Sequence, residues 1–164
     1  MERYVLSIMV DNHANVLARI ASLFARRRFN IDTITASATS NPAITRITIV
    51  TRGDETILKQ IIGQTEKLQE VREVFVLDQT GSVLRELLII KLAADVKNRA
   101  ELKDIADIYK AKVVDLSQES IVLELTGKPE KIDGFLEVVS PYEILEMCRS
   151  GITGMERGGR RKRG

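Results

Sequence analysis

Asp11-Asn12-His13-Ala14-Asn15 is the stretch whose residue types and position could do chemistry. It stands between an alternating apolar segment and an amphipathic one, so it reads as a polar loop at a helix N-terminus. Unpaired backbone N–H groups and the helix dipole favour a carboxylate there. A free amino acid offers a carboxylate, an ammonium and a side chain. The N–H groups at the start of a helix over 15–27 suit the carboxylate, and the side-chain oxygens of Asn12 or Asn30 suit the ammonium. Val16, Leu17 and Ile31 suit a small apolar niche. The same residues suit equally an ordinary strand–helix loop with capping asparagines and core Val and Leu, with Asn15 the candidate N-cap. His13 either titrates near neutral pH beside a ligand or is an exposed loop residue, and the second is the simpler expectation.

Other chemistries find little support. His13 is the only histidine, which removes histidine-based metal clusters, and nothing in the sequence assembles it with Cys148 into a Cys–His pair. Cys148, the only cysteine, lies in a strand pattern and reads as a small buried hydrophobe. Neither GxGxxG nor GxxxxGK[ST] occurs, and Gly53-Asp54-Glu55 reads as a strand–helix turn rather than a phosphate cradle. Arg26-Arg27-Arg28 reads as a solvated helix end with the favourable dipole sign. Seven aromatic residues, none of them Trp, are few for base stacking. No catalytic residue and no metal site is therefore expected.

The elements that must position the loop follow from periodicity. Tyr4–Val10 alternates and reads as a strand, and Val16, Leu17, Ile20, Leu23 and Phe24 mark the helix that follows. Ile31–Thr39 and Ile44–Thr51 read as strands about the turn Ser40-Asn41-Pro42. A stripe through Ile57, Leu58, Ile61, Ile62, Thr65 and Leu68 reads as a helix, and Val71–Leu77 as a strand. The order is β-α-β-β-α-β, the ferredoxin-like arrangement. Asp78-Gln79-Thr80-Gly81-Ser82 reads as a polar hinge. The order then recurs: strand 83–93, a helix through Leu102, Ile105, Ala106 and Tyr109, strands 112–116 and 121–125, a helix begun by Pro129 and a strand 143–148. The expected fold is α+β, two such domains in tandem, over 1–78 and 79–153. The strand Leu87-Leu88-Ile89-Ile90 is apolar on both faces, so its second face is a candidate protein–protein surface.

Composition bounds the rest. Apolar residues at 44% and charged residues at 29% fit a folded domain pair. The formal charge is +2, but Arg157, Arg160, Arg161, Lys162 and Arg163 carry five positive charges, so residues 1–156 sum to about −3, two minus five. Residues 154–164 therefore read as a disordered basic tail, solvated or touching nucleic acid or an acidic partner. The lone cysteine and the lack of a signal-peptide pattern or membrane-length apolar run predict a cytoplasmic protein.

Five segments in order carry a resemblance: Asp11-Asn12; Leu23-Phe24-Ala25-Arg26-Arg27 leading into Phe29-Asn30-Ile31; Thr45-Arg46-Ile47-Thr48-Ile49; Arg85-Glu86-Leu87-Leu88-Ile89-Ile90-Lys91; and Arg149-Ser150-Gly151. The chain resembles the regulatory small subunits of acetolactate synthase (acetohydroxyacid synthase), whose first half is an ACT domain. The resemblance implies a 1–78 amino-acid-sensing domain that forms a homodimer and binds a branched-chain effector, typically valine, at the dimer interface. It implies a second domain that contacts a separate catalytic subunit carrying thiamine diphosphate, magnesium and FAD, and no cofactor in this chain. The small subunit would raise that subunit's activity and confer feedback inhibition. Asn12 and Asn30 match the family's effector-binding asparagines, and His13, Ala14, Asn15, Val16, Leu17 and Ile31 complete the candidate site. Asn15 and Arg28 stand where the family usually has glycine. The Asn15 side chain would either fill the pocket or add a hydrogen bond. An ACT-type sensor for another enzyme, or a ferredoxin-like nucleic-acid-binding protein using the tail, is the alternative.

Overall fold

The computed structural model describes residues 1–159. Two compact units emerge, residues 1–83 with 152–159, and Leu84–Gly151.

In the first unit, β1 (Glu2–Asp11), α1 (Val16–Arg26), β2 (Thr33–Ala38), β3 (Ile44–Gly53), α2 (Glu55–Thr65) and β4 (Val71–Val76) follow the expected order. The antiparallel sheet runs β2-β3-β1-β4. In β1 the side chains of Leu6, Ile8 and Val10 share one face, and register places Leu6 opposite Ile49 and Ile8 opposite Ile47. Val16, Ile20 and Phe24, spaced four apart on α1, close over that face with Ile61 of α2 and Val74 of β4. Phe29 meets Phe24 edge to face at 5.7 Å. Asp54 caps α2 by accepting from the Ile57 N–H at 2.8 Å, which fixes the Gly53-Asp54-Glu55 segment as the expected strand–helix turn. The opposite face of the sheet is also buried: Val5, Ser7, Thr48 and Val50 are each 3% exposed or less. On that side the Arg46 guanidinium donates to the Gly154 carbonyl at 2.9 Å and lies 5.9 Å from the centre of the Phe75 ring.

The second unit repeats the layout. β5 (Ser82–Ala93), α3 (Arg99–Tyr109), β6 (Lys112–Leu116), β7 (Ser120–Gly127), α4 (Pro129–Val139) and β8 (Ile144–Arg149) build a sheet in the order β6-β7-β5-β8. Leu88, Ile90 and Leu92 of β5 and Leu123 and Leu125 of β7 pack under Leu102, Ala106, Ile132 and Phe135. Pro129 opens α4, where its missing N–H costs no bond. At the end of β8, Arg149 reaches the Glu86 carboxylate, with Nε donating at 3.0 Å, and its Nη1 donates to Asp133 of α4 at 2.7 Å. The Glu86 side chain is 1% exposed.

Two expectations change. Residues 154–156 belong to a ninth strand, β9 (Thr153–Glu156), which pairs with β5, so no disordered tail begins at 154. The stretch counts with the first unit, and the Arg157 N–H donates to the Gly81 carbonyl at 2.8 Å. Residues 160–164, the rest of the expected tail, lie outside the described residues. The division also falls at 83/84 rather than 78/79. The Asp78 carboxylate accepts from the Thr80 hydroxyl at 2.6 Å and the Gly81 N–H at 2.8 Å, so the hinge is a closed turn. Those two bonds, the Thr80 one first, hold the Asp78 carboxyl below its ordinary pKa.

Removing Arg149 would leave the Glu86 carboxylate buried without its counter-ion. Arg149→Ala should cost about 3–5 kcal/mol of stability, read as a lower midpoint in urea with an unchanged slope; a loss under 1 kcal/mol would refute this role of the pair.

Candidate functional site

β1 ends at Asp11, and the loop to α1 is anchored by its backbone. The Asp11 N–H donates to the Glu70 carbonyl at 2.9 Å and the Asn12 N–H to the Ala43 carbonyl at 2.8 Å. The Asn12 carboxamide donates to the Pro42 carbonyl at 3.0 Å. Ion pairs Asp11–Arg72 and Arg19–Glu70 tie the same corner to β4 and to the turn before it. His13 is exposed, and its backbone N–H turns back to the Asp11 carbonyl at 2.9 Å; Ala14 is exposed beside it.

Asn15 occupies the N-cap position of α1, but its side chain makes no capping bond. The expected cap fails because its backbone is left-handed, at φ 73° and ψ −3°, whereas a capping residue is extended. The helical ladder begins with the Arg19 N–H on the Asn15 carbonyl at 3.0 Å. No side chain among the described residues caps the first turn of α1. Arg28, at the exit of the helix, is left-handed as well, at φ 56°. Asn15 and Arg28, the two positions at which the resemblance implies glycine, thus both have positive φ. Asparagine tolerates that region; for arginine the cost is about 1 kcal/mol.

The apolar niche does not form as expected. Val16 is 5% exposed and belongs to the core, because it stands four residues before Ile20 on the buried stripe. Ile31 is half-buried against the same core. Leu17, one position round the helix, is 47% exposed and is the member presented to solvent.

Nor does one chain bring the two asparagines together. Asn12 is bonded at Ala43, at the start of β3, whereas the Asn30 carbonyl accepts from the Thr51 hydroxyl at 2.6 Å, near the end of β3. Positions 43 and 51 lie about 26 Å apart at the rise of an extended strand. The Asn30 carboxamide donates to Asp32, whose other oxygen takes the Arg52 Nε at 2.6 Å. Partial burial raises the Asp32 carboxyl's pKa, but the bonds from Arg52 and Asn30 outweigh it and hold the group below its ordinary value.

Among the described residues, no group of three His, Cys, Asp or Glu side chains could hold a metal ion. Cys148, expected inside, is exposed, because β8 is an edge strand and the sheet face it shares is uncovered. No helix is long and apolar enough to cross a membrane among the described residues.

Comparison with known proteins gives a consistent result. A family profile described as the small subunit of acetolactate synthase matches residues 85–158, and one described as the AHAS small subunit-like ACT domain matches residues 6–73. The chain is 40% identical over 157 residues to the acetolactate synthase small subunit of Mycolicibacterium smegmatis, covering 96% of this chain and 92% of that one. It is 39% identical over 160 residues to the probable acetolactate synthase small subunit of Methanothermobacter thermautotrophicus, covering 97% and 95%. The crystal structure of the acetolactate synthase small subunit from Thermotoga maritima superposes with a TM-score of 0.90 at 32% identity, over 97% of this chain and 99% of that one.

The Asp32 bonds give a pH signature. Its folded pKa is lowered, so its stabilising contribution is complete above the ordinary carboxylate range near pH 4 and is lost as pH falls through the folded value. An NMR titration should find Asp32 below that range and Arg52→Ala should move it upward; an Asp32 that titrates normally in the unaltered protein would refute the assignment.

Proposed function

We infer the function from one premise: the chain belongs to the family of acetolactate synthase small subunits. It is a regulatory subunit in branched-chain amino acid biosynthesis and is not itself catalytic. Its partner is a catalytic subunit, and its ACT domain is the part suited to an amino-acid effector. The partner, not this chain, would carry the thiamine diphosphate, magnesium and FAD. A chain with one cysteine and, among the described residues, no apolar helix of membrane length fits the cytoplasm. Nothing at the site recommends a nucleic acid as ligand.

The effector site is proposed to lie between two copies of the ACT domain. The separation of Asn12 from Asn30 carries this reading. β2 is an edge strand, antiparallel to β3, with Thr33 opposite Val50 and Ala38 opposite Thr45. If β2 pairs antiparallel with its copy about a two-fold axis, the Thr33 end of one meets the Ala38 end of the other. Asn30, just before β2, then comes to the end of the partner where Asn12 is held. Exposed Ile34 on β2 and Leu17 on α1 gain apolar cover in such a dimer. The effector carboxylate would face the uncapped first turn of α1, its ammonium the asparagine oxygens, and its branched side chain Leu17. Valine bound there regulates the catalytic subunit only through the difference in its affinity for two states of the complex, typically worth about 1–3 kcal/mol.

Calorimetric titration of the chain with valine, leucine and isoleucine should give saturable heat with at least one of them; no heat from any would sink the sensing claim. Asn12→Ala and Asn30→Ala should each abolish binding alone, and mixing the two should restore about one site per heterodimer. A site within one chain predicts no restoration. Asn15→Gly should tighten valine binding if the carboxamide fills the pocket; weaker binding would make that carboxamide a ligand.

A further inference from the structure

Both asparagines of the candidate site engage their NH2 groups within their own chain. The Asn12 Nδ2 donates to the Pro42 carbonyl at 3.0 Å, and the Asn30 Nδ2 donates to the Asp32 carboxylate. A carbonyl oxygen and an ionised carboxylate only accept, so each carboxamide can meet its partner only through nitrogen. That leaves each carboxamide oxygen to other donors. Neither oxygen accepts a hydrogen bond among the described residues, and both asparagines are exposed. An ammonium group donates only, so it needs this orientation and is repelled by the reverse one.

The acceptor behind Asn30 is itself held. Three consecutive residues of β3 fix it: the Val50 carbonyl accepts from the Asp32 N–H at 2.8 Å, the Thr51 hydroxyl donates to the Asn30 carbonyl at 2.6 Å, and the Arg52 Nε donates to the Asp32 carboxylate at 2.6 Å. Arg3 of β1 stands opposite Arg52, and its charge also favours the ionised Asp32. The Asp32 side chain is 21% exposed, so water competes weakly for it.

We propose that Asp32 is a positioning residue of the effector site: held by Arg52, it fixes the Asn30 carboxamide with its oxygen free for the ammonium of an amino acid. The role rests on the reading that an amino acid binds between two ACT domains with its ammonium at the asparagine oxygens. It makes the site selective for a group that only donates. A hydroxyl both donates and accepts, so it fits either orientation of the carboxamide. Asp32→Asn reverses that orientation while keeping the size of the side chain. Arg52 still takes an oxygen, so the new carboxamide turns its NH2 toward Asn30. Asn30 then meets it with oxygen and presents its own NH2 to the ligand.

The test is calorimetric titration of the full chain with whichever of valine, leucine and isoleucine binds, and with the 2-hydroxy acid of the same carbon skeleton. Asp32→Asn should weaken binding of the amino acid roughly tenfold and leave the hydroxy acid within about twofold. Arg52→Gln should weaken the amino acid by a smaller factor. By NMR, the Asn30 carboxamide protons of the unaltered chain should exchange slowly with water, and Asp32→Asn should remove that protection while leaving Asn12 as it was. If Asp32→Asn binds the amino acid as the unaltered chain does, the positioning role is overturned and the effector reading stands. Equal loss for both ligands makes Asp32 a purely structural residue and overturns the role as well. Where the hydroxy acid binds too weakly to measure, the carboxamide protons decide: an Asn30 that exchanges as freely as any exposed asparagine overturns the role. No heat from any of the three amino acids overturns the effector reading, and the role with it.

Discussion

A βαββαβ sheet carries both of its helices on one face, so its other face must be polar, covered by further chain, or covered by another molecule. This constraint divides the two halves of the protein. In the first, the second face holds Val5, Ser7, Thr48 and Val50, all buried, and Arg46 is bound to the returning strand at Gly154. The chain itself closes that face. In the second, the corresponding face leaves Leu87 and Ile89 partly in water. The same topology thus yields one unit whose second face is buried and one whose second face is open, and the returning strand β9 goes with the first.

In the first unit the candidate loop leads into a helix whose inner face is part of the core. Val16, Ile20 and Phe24 occupy one face of α1 at four-residue spacing and fill the space above the sheet. What remains is the uncapped helix start, the exposed Leu17 and an edge strand. None of these recognises an amino acid alone, and their two asparagines sit at opposite ends of β3. Under the proposed dimer, a second copy with the strand direction reversed would bring those parts together. Sensing and dimerisation would then be one event, which lets a small effector act on a large assembly.

Much of this was legible in the sequence, and the misses have physical causes. Periodicity found twelve of the thirteen elements because each places apolar residues on one face. β9 has four residues, no alternation of apolar side chains and glycines close behind it, so pattern alone reads it as tail. The burial of Val16 was implicit in its spacing from Ile20, but its neighbour Leu17 fits the same helix nearly as well, and a one-position rotation separates core from surface. Cys148 reads as interior because a strand pattern does not say which strand ends at an edge. The distance between Asn12 and Asn30 depends on strand register, which no local pattern contains.

Asn15 and Arg28 share a backbone conformation but differ in what their side chains can do with it. Asn15 is left-handed, and that conformation turns the chain from the loop into α1. Glycine adopts it freely, and asparagine is the side chain that tolerates it best after glycine. The backbone N–H groups of the first helical turn can therefore keep the placement a glycine would give them. What changes is the added carboxamide, which has a donor and an acceptor and makes no capping bond in its own helix. Arg28 differs, because its side chain offers no local compensation for the same strain. The position at the helix exit thus bears on backbone strain, whereas the position at the helix entrance would bear on the ligand if the proposed site is right.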